Sequence, residues 1–258
     1  MRAFDPAAYG LLVLIGIATG VFLVEVQMRK RAVWPRGLTI GLLCVAMPAA
    51  ILGAKLAGSL DTQQVLGERP WELLTSAGDC ASWGGIVSGG LVMLWILRKR
   101  RLPVLEFFDA AASGLLVAYA IGRLACHVTA DGCHGVQTSL PWASYVPSSG
   151  PEPSQGVHPT ALYEASFALL LLPIVLLGAD RLHEKSPGTM FGLYLILHWA
   201  FRFGIEFLRV NPRHAGLSGA QWASIALVLG GAALLVLAKQ RSRASAPTLS
   251  RHHGEAFQ

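Results

Sequence analysis

The stretch "GLLVAYAIGRLACHVTADGCHG", residues 114–135, runs through apolar residues into an arginine and then into two Cys-His pairs set around an aspartate. Whether those polar residues form a metal site, a disulfide or part of a catalytic pocket depends on the medium around them. Apolar residues make up 53% of the 258 and charged residues 14%, with a mean hydropathy of +0.50. A water-soluble domain of this length rarely shows that balance. The apolar runs are long enough to cross ~30 Å of hydrocarbon as helices, which takes about 20 residues each, and only helices or closed barrels satisfy their backbone there. Period-two alternation is absent, so the sequence predicts an all-α integral membrane protein.

Seven spans are expected, at about 8–26, 37–60, 84–97, 107–125, 161–178, 188–208 and 218–238, the third of them short. They make one transmembrane domain over residues 1–240, with a small outward-facing head at about 126–160 and a polar basic tail at 241–258. The leader "MRAFDPAAYG" carries an acid and no small-residue cleavage site follows, so the first span is expected to stay. Pro48 and Pro173 interrupt two spans, and Gly16/Gly20 and Gly85/Gly89 have the small-xxx-small spacing that lets helices approach closely.

Lys and Arg outside the spans set an expected orientation, because positive loops stay in the cytoplasm. Arg29, Lys30, Arg31 and Arg36 form one basic connection and Arg98, Lys99, Arg100 and Arg101 a second. Arg181 with Lys185, and the tail with Lys239, Arg241, Arg243 and Arg251, complete the set. The alternate segments hold only Arg2, Arg69, Arg209 and Arg213, with acids that include Asp61, Glu68, Glu72, Asp79, Asp131 and Glu152. The amino terminus is therefore expected outside and the carboxyl terminus in the cytoplasm of a bacterial inner membrane. The net charge of +6 reflects topology and attraction to anionic lipid, and nothing in it asks for nucleic acid.

The quoted stretch then lies at the outer end of the fourth span, on the side that is usually oxidising. A short disulfide between Cys126 and Cys133 is one reading, with Cys44 buried in span two. A metal site is another, although C-H-x5-C-H matches no common zinc spacing. Neither accounts for Arg123. Charges within spans cost about 2.5–3.5 kcal/mol each on insertion scales and mark a cavity or a partner. Here they are Lys55, Arg123, Arg202, Glu206 and Arg209, all near outer span ends. Arg202, Glu206 and Arg209 fall at i, i+4 and i+7, on one helical face, where Glu206 can pair with either arginine. A structural salt-bridge cluster is the plain reading. Against it, the cations outnumber the nearby acid, and the anion natural to lipid is a phosphate.

Six segments resemble the prolipoprotein diacylglyceryl transferase family in order and spacing: "YGLLVLIGI" at 9–17, "SWGGIVSGG" at 82–90, "GRLACHVTADGCHG" at 122–135, "HPTALYEA" at 158–165, "FRFGIEFLR" at 201–209 and "GAQWASI" at 219–225. The resemblance covers nearly the whole chain. It implies a seven-helix enzyme without a cofactor or metal, which moves the diacylglyceryl group of phosphatidylglycerol onto the lipobox cysteine of a prolipoprotein within the membrane lipid. Motif positions carried over from the family imply that Arg123 and Arg202 oppose the charge on the departing phosphate, that Glu206 orients Arg202 and that Arg209 completes the cluster. Tyr9, Lys55, His158, Tyr163 and Glu164 would line the substrate site, and Asp131 takes the place of an acid in the family's Gly-Arg-Leu segment. Lys55 stands where arginine is usual, Cys126 where the family has asparagine, and Trp83 where it has histidine in Ser-x-His-Gly-Gly. That histidine is the proposed base, and tryptophan cannot accept a proton. His127 and His134, beside Asp131, are the nearest replacements in the sequence. Two rival readings stand beside this one: a non-catalytic relative that binds anionic lipid or lipoprotein at the same site, and a thiol or metal redox protein built on the Cys-His pairs.

Overall fold

The computed structural model describes residues 5–31, 34–61, 81–129, 133–146, 155–182, 186–213 and 215–244. Among them the chain forms seven α-helices: α1 (Pro6–Arg31), α2 (Leu38–Asp61), α3 (Ser82–Lys99), α4 (Val104–Thr129), α5 (Thr160–Leu182), α6 (Thr189–Ile205) and α7 (Gly219–Ala244). Each expected span coincides with one of them, and all except α3 are long and apolar enough to cross a membrane. The protein is an all-α membrane bundle. Pro48 and Pro173 lie inside α2 and α5, which continue through them. A proline removes one ladder donor, a loss that a helix held among neighbours in lipid tolerates. The expected tail begins within α7, and residues 245–258 lie outside the described residues.

Packing follows the small residues. A side chain on Gly16 would meet the Ala118 carbonyl at 3.1 Å, and one on Gly20 the Gly114 carbonyl at 2.6 Å. Farther along, Gln27 donates to Ser113 between the same two helices. Rising numbers on α1 meet falling numbers on α4, so the pair is antiparallel and close enough for backbone to touch backbone. Gly85 and Gly89 of α3 lie against Ala50 of α2 in the same way. In lipid there is no hydrophobic drive between helices, so close van der Waals contact of this kind carries the association. The central packing runs through α4, α5 and α6, around Leu116, Leu171, Val175, Tyr194 and Trp199. Leu14, Phe22, Leu170, Leu177 and Leu229 are exposed, as side chains facing hydrocarbon should be.

Polar groups at one end of the bundle act as caps. The Glu25 carboxylate of α1 pairs with Arg29 at 2.7 Å and accepts from the Gly37 and Thr39 amides at 2.9 and 3.3 Å, closing the start of α2. Asp109 of α4, 2% exposed, accepts from the Gly188 and Phe191 amides at 2.7 and 2.8 Å and so caps α6 from a neighbouring helix. Gly188 holds φ at 91°, a conformation that favours glycine. These contacts tie α1 to α2 and α4 to α6.

The opposite end carries a small head. Strand β1 (Ser144–Val146) pairs antiparallel with β2 (Gln155–Val157), Tyr145 opposite Gly156. Residues 135–138 join them, since Thr138 donates to the Gly156 carbonyl at 2.9 Å and His158 to that of Val136 at 3.0 Å.

The α1/α4 crossing yields a direct test. Gly20→Leu inserts atoms against the Gly114 carbonyl, an overpacking expected to cost about 1–3 kcal/mol, and should lower the thermal midpoint in detergent by about 2–4 °C for each kcal/mol with helix content retained. An unchanged midpoint would mean that this crossing does not hold the two helices together.

Candidate active site

Three helices bring their charges to one point. Helix α4 presents Tyr119 and Arg123 one turn apart, the first turns of α5 present Tyr163 and Glu164, and α6 presents Tyr194, His198 and Arg202 at i, i+4 and i+8. A 3-10 turn, Glu206–Leu208, follows α6 and delivers Arg209.

Glu164 is the hub. One carboxylate oxygen, Oε2, forms an ion pair with Nε of Arg123 and accepts the Tyr119 hydroxyl. The other, Oε1, receives Nη1 of Arg209 at 3.3 Å and lies 3.9 Å from Nη1 of Arg202. Glu206 is the second acid: it pairs with Arg202, accepts the Asn211 amide and stands 3.8 Å from Nε of Arg209. The pairing expected from the i, i+4 and i+7 spacing is therefore present, and the acid from the His-Pro segment is added to it. Among the described residues, three guanidiniums against two carboxylates leave one positive charge in excess. The excess is smaller than the sequence suggested, because Glu164 joins as a second acid and the cluster comprises the three arginines without Lys55. Exposure divides the two kinds of group: the acid side chains keep 0–2% and the arginine side chains 8–10%, so an incoming molecule meets guanidinium.

Aromatic rings support this cluster from beneath. The Arg123 guanidinium lies 5.0 Å from the centre of the Tyr119 ring, within cation–π range. His198 meets Tyr119 edge-on at 4.7 Å and stacks on Tyr194 at 5.2 Å. Its Nδ1 has no hydrogen-bond partner among the described residues. Tyr119, His198 and Asn211 went unrecognised in the sequence, although two of them carry a signal: Tyr119 and His198 each sit one helical turn before a site arginine.

The Cys-His stretch follows Arg123 along the chain, and its residues 130–132 lie outside the described residues. Helix α4 carries Cys126 and His127 to its last turn, and Cys133 and His134 lead into the segment that Gly135 seats. The Gly135 amide donates to the His158 carbonyl at 2.9 Å, and the next amide, Val136, to that of Leu208 at 2.8 Å. A side chain on Gly135 would collide with the Leu208 carbonyl, so only glycine fits between the exit of α6 and the start of α5. His134 is half-buried with Nδ1 3.2 Å from the Gly135 carbonyl. His158 reaches the Tyr163 hydroxyl at 3.4 Å, and Trp142 donates to that hydroxyl at 2.8 Å. Cys126 is buried and Cys133 half-buried with no disulfide between them, and Cys44 is exposed on α2 rather than buried as its place in the span suggested. Asp131 lies outside the described residues. Tyr9 is half-buried at the start of α1 and Lys55 buried on α2. Trp83 packs against the central apolar cluster that contains Leu116 and Ala120.

A family model described as prolipoprotein diacylglyceryl transferase matches residues 2–237. Among individual proteins, the chain is 32% identical to the phosphatidylglycerol–prolipoprotein diacylglyceryl transferase of Gloeobacter violaceus over 93% of this chain and 91% of that one. It is 28% identical to the enzyme of the same name from Finegoldia magna, over 92% and 93% of the two chains. Against the one from Frankia casuarinae it is 33% identical over 97% of this chain but spans 62% of the relative's length.

The hub makes a prediction about stability. Glu164→Ala takes the acid from Arg123 and Arg209 while Arg202 keeps Glu206, and removing one partner of a buried ion pair costs about 3–5 kcal/mol. Tyr119→Phe keeps the ring under Arg123 and loses one hydrogen bond to a charged group, worth about 1.5–3 kcal/mol. Thermal unfolding in detergent should therefore rank wild type above Tyr119→Phe and that above Glu164→Ala. Equal midpoints for all three would remove Glu164 from the centre of the fold.

Proposed function

The chain belongs to the prolipoprotein diacylglyceryl transferase family, and from that premise we propose that it transfers the diacylglyceryl group of phosphatidylglycerol to the lipobox cysteine of prolipoproteins. The sulfur–carbon bond forms at a glyceryl carbon as the carbon–oxygen bond to the phosphate breaks. The electron pair of that bond goes to the leaving glycerol phosphate, and the thiol proton goes to a base. The observation that carries the reading is the meeting of Arg123, Arg202 and Arg209 on one buried carboxylate with positive charge to spare. Guanidiniums held in place in a low-dielectric site oppose charge on a departing phosphate without reorganising.

Arg123 and Arg202 are assigned to the phosphate, Glu206 to orienting Arg202, and Arg209 to completing the cluster. Tyr9, Lys55, His158, Tyr163 and Glu164 are assigned to lining the lipid and acceptor sites. A base is harder to find within the cluster: Glu164 is already paired with guanidiniums and accepts a phenol, and Glu206 accepts from Arg202 and the Asn211 amide. His127 and His134, with Asp131, are therefore the candidates for receiving the thiol proton.

Transfer of labelled diacylglycerol to a lipobox peptide tests these roles. Arg123→Lys and Arg202→Lys keep a charge but lose the planar fork, and each should cut turnover by at least about 10²-fold. Near-full transfer by Arg123→Ala would sink the assignment. His127→Ala or His134→Ala should lower transfer at neutral pH and recover in part at alkaline pH, where thiolate forms unaided. Full activity of both across pH would leave the loop a lid only. Wild-type protein that binds phosphatidylglycerol without transferring it would favour the non-catalytic relative, with Trp83 as its mark.

The proposed orientation has the amino terminus and the head outside a bacterial plasma membrane and the carboxyl terminus in the cytoplasm; the basic connections support it. An impermeant thiol reagent should label Ser139→Cys in intact cells and Arg100→Cys only after permeabilisation. The opposite pattern would invert the topology.

A further inference from the structure

At the end of the bundle away from the arginine–glutamate cluster, α3 finishes in "LWILRKRR", residues 94–101. Arg98, Lys99, Arg100 and Arg101 are exposed there, and Arg36, just before α2, is exposed as well. Among the described acids nearby, Glu106 in the first turn of α4 is the one left to oppose these cations, which outnumber it. Glu25 is held by Arg29 and the amides that start α2, and Asp109 is buried as the cap of α6.

Between α2 and α3 at this level lies a groove of about 470 Å³, walled by Gly41 and Val45 on one side and Trp95 and Ile96 on the other, with Lys99 and Arg100 at its mouth. The size is that of a ligand cleft, which typically holds ~300–1,000 Å³. No atom lies within 4 Å of where a side chain on Gly41 would begin, so the floor is open. Trp95 and Val45 are exposed at 59% and 56%, so the walls are available to whatever enters from the bilayer. The Lys99 ammonium sits 4.7 Å from the Trp95 ring, which sets the boundary between the apolar groove and the charged turn at that indole. A second depression on the other side of Trp95, walled by Leu91 and Leu94 and bordered by Arg98 and Lys99, extends the same surface. One molecule matches an apolar channel that ends in cations outnumbering the nearby acid: a phospholipid whose acyl chains lie along α2 and α3 and whose headgroup carries net negative charge. A zwitterionic headgroup would bring its own cation into the basic turn.

We propose that this groove is a binding site for one anionic phospholipid of the leaflet at the basic end of the bundle, separate from the Arg123–Glu164–Arg202 site. The proposal does not rest on the transferase reading, because none of its residues takes part in that site.

Photolabelling with phospholipids that carry a diazirine on one acyl chain tests it on the full protein in vesicles, with phosphatidylglycerol and phosphatidylcholine probes of equal chain length. Adducts mapped by mass spectrometry separate this groove from the other end of the bundle. Peptides spanning residues 38–45 and 94–98 should take up the anionic probe about fivefold or more over the zwitterionic one, as expected from several cations near one headgroup. In R98Q/K99Q/R100Q that ratio should fall to about one. Gly41→Leu fills the floor while keeping every charge, so it should remove the adducts of both probes here and leave those elsewhere unchanged. Equal labelling by the two probes in wild type would overturn the proposal. So would an anionic preference that survives the charge substitutions, or adducts that persist in Gly41→Leu, the variant that decides if the triple substitution fails to insert.

Discussion

A carboxylate buried at membrane depth is tolerated only when cations and hydrogen-bond donors replace the water it gave up. Glu164 meets that condition by drawing on every helix around it. Arg123 and Tyr119 come from α4, Arg202 from α6, and Arg209 from the turn beyond. Each guanidinium faces the same constraint and is met by the same acid or by Glu206. The crossing of α4, α5 and α6 is thus fixed by reciprocal need, and the arginines acquire one geometry. The acids are spent inward and the guanidiniums keep the slight exposure, which is why a cluster that stabilises the bundle can also attract a phosphate.

The rest of the fold keeps that cluster in place. A loop between α4 and α5 at the membrane surface must satisfy its backbone, and it does so by pairing residues 135–138 with β2 and with the exit of α6. Gly135 is where this works, because the backbones of three segments converge on a space that admits no side chain. At the far end, Glu25 and Asp109 satisfy the opening amides of α2 and α6 from neighbouring helices. Acids on two helices thereby set the heights of two others, while small residues set the distances between α1 and α4 and between α2 and α3.

Trp83 is partly buried against the central apolar cluster, and its indole supplies no proton acceptor. Cys126 is buried on the last turn of α4, beside the arginine one turn earlier. Any proton acceptor for a thiol must then come from groups that are not already engaged by the arginines.

The fold class was legible in residue type alone. Apolar runs of membrane length admit little besides helices, and the charged turns between them mark the ends, so the spans and their number follow from local composition. Gly16/Gly20 and Gly85/Gly89 announced close packing by spacing, and Arg202, Glu206 and Arg209 announced a shared face, because both patterns lie within one helix. What the sequence left open lies between helices. Glu164 as the partner of three arginines, Tyr119 and His198 beneath them, and Asp109 as a cap for α6 join residues up to 82 positions apart. Nothing in the spacing of one helix records which neighbour it meets or at what height. That is decided when each buried charge must find a partner and each helix must find a neighbour small enough to approach, conditions that only the assembled bundle meets.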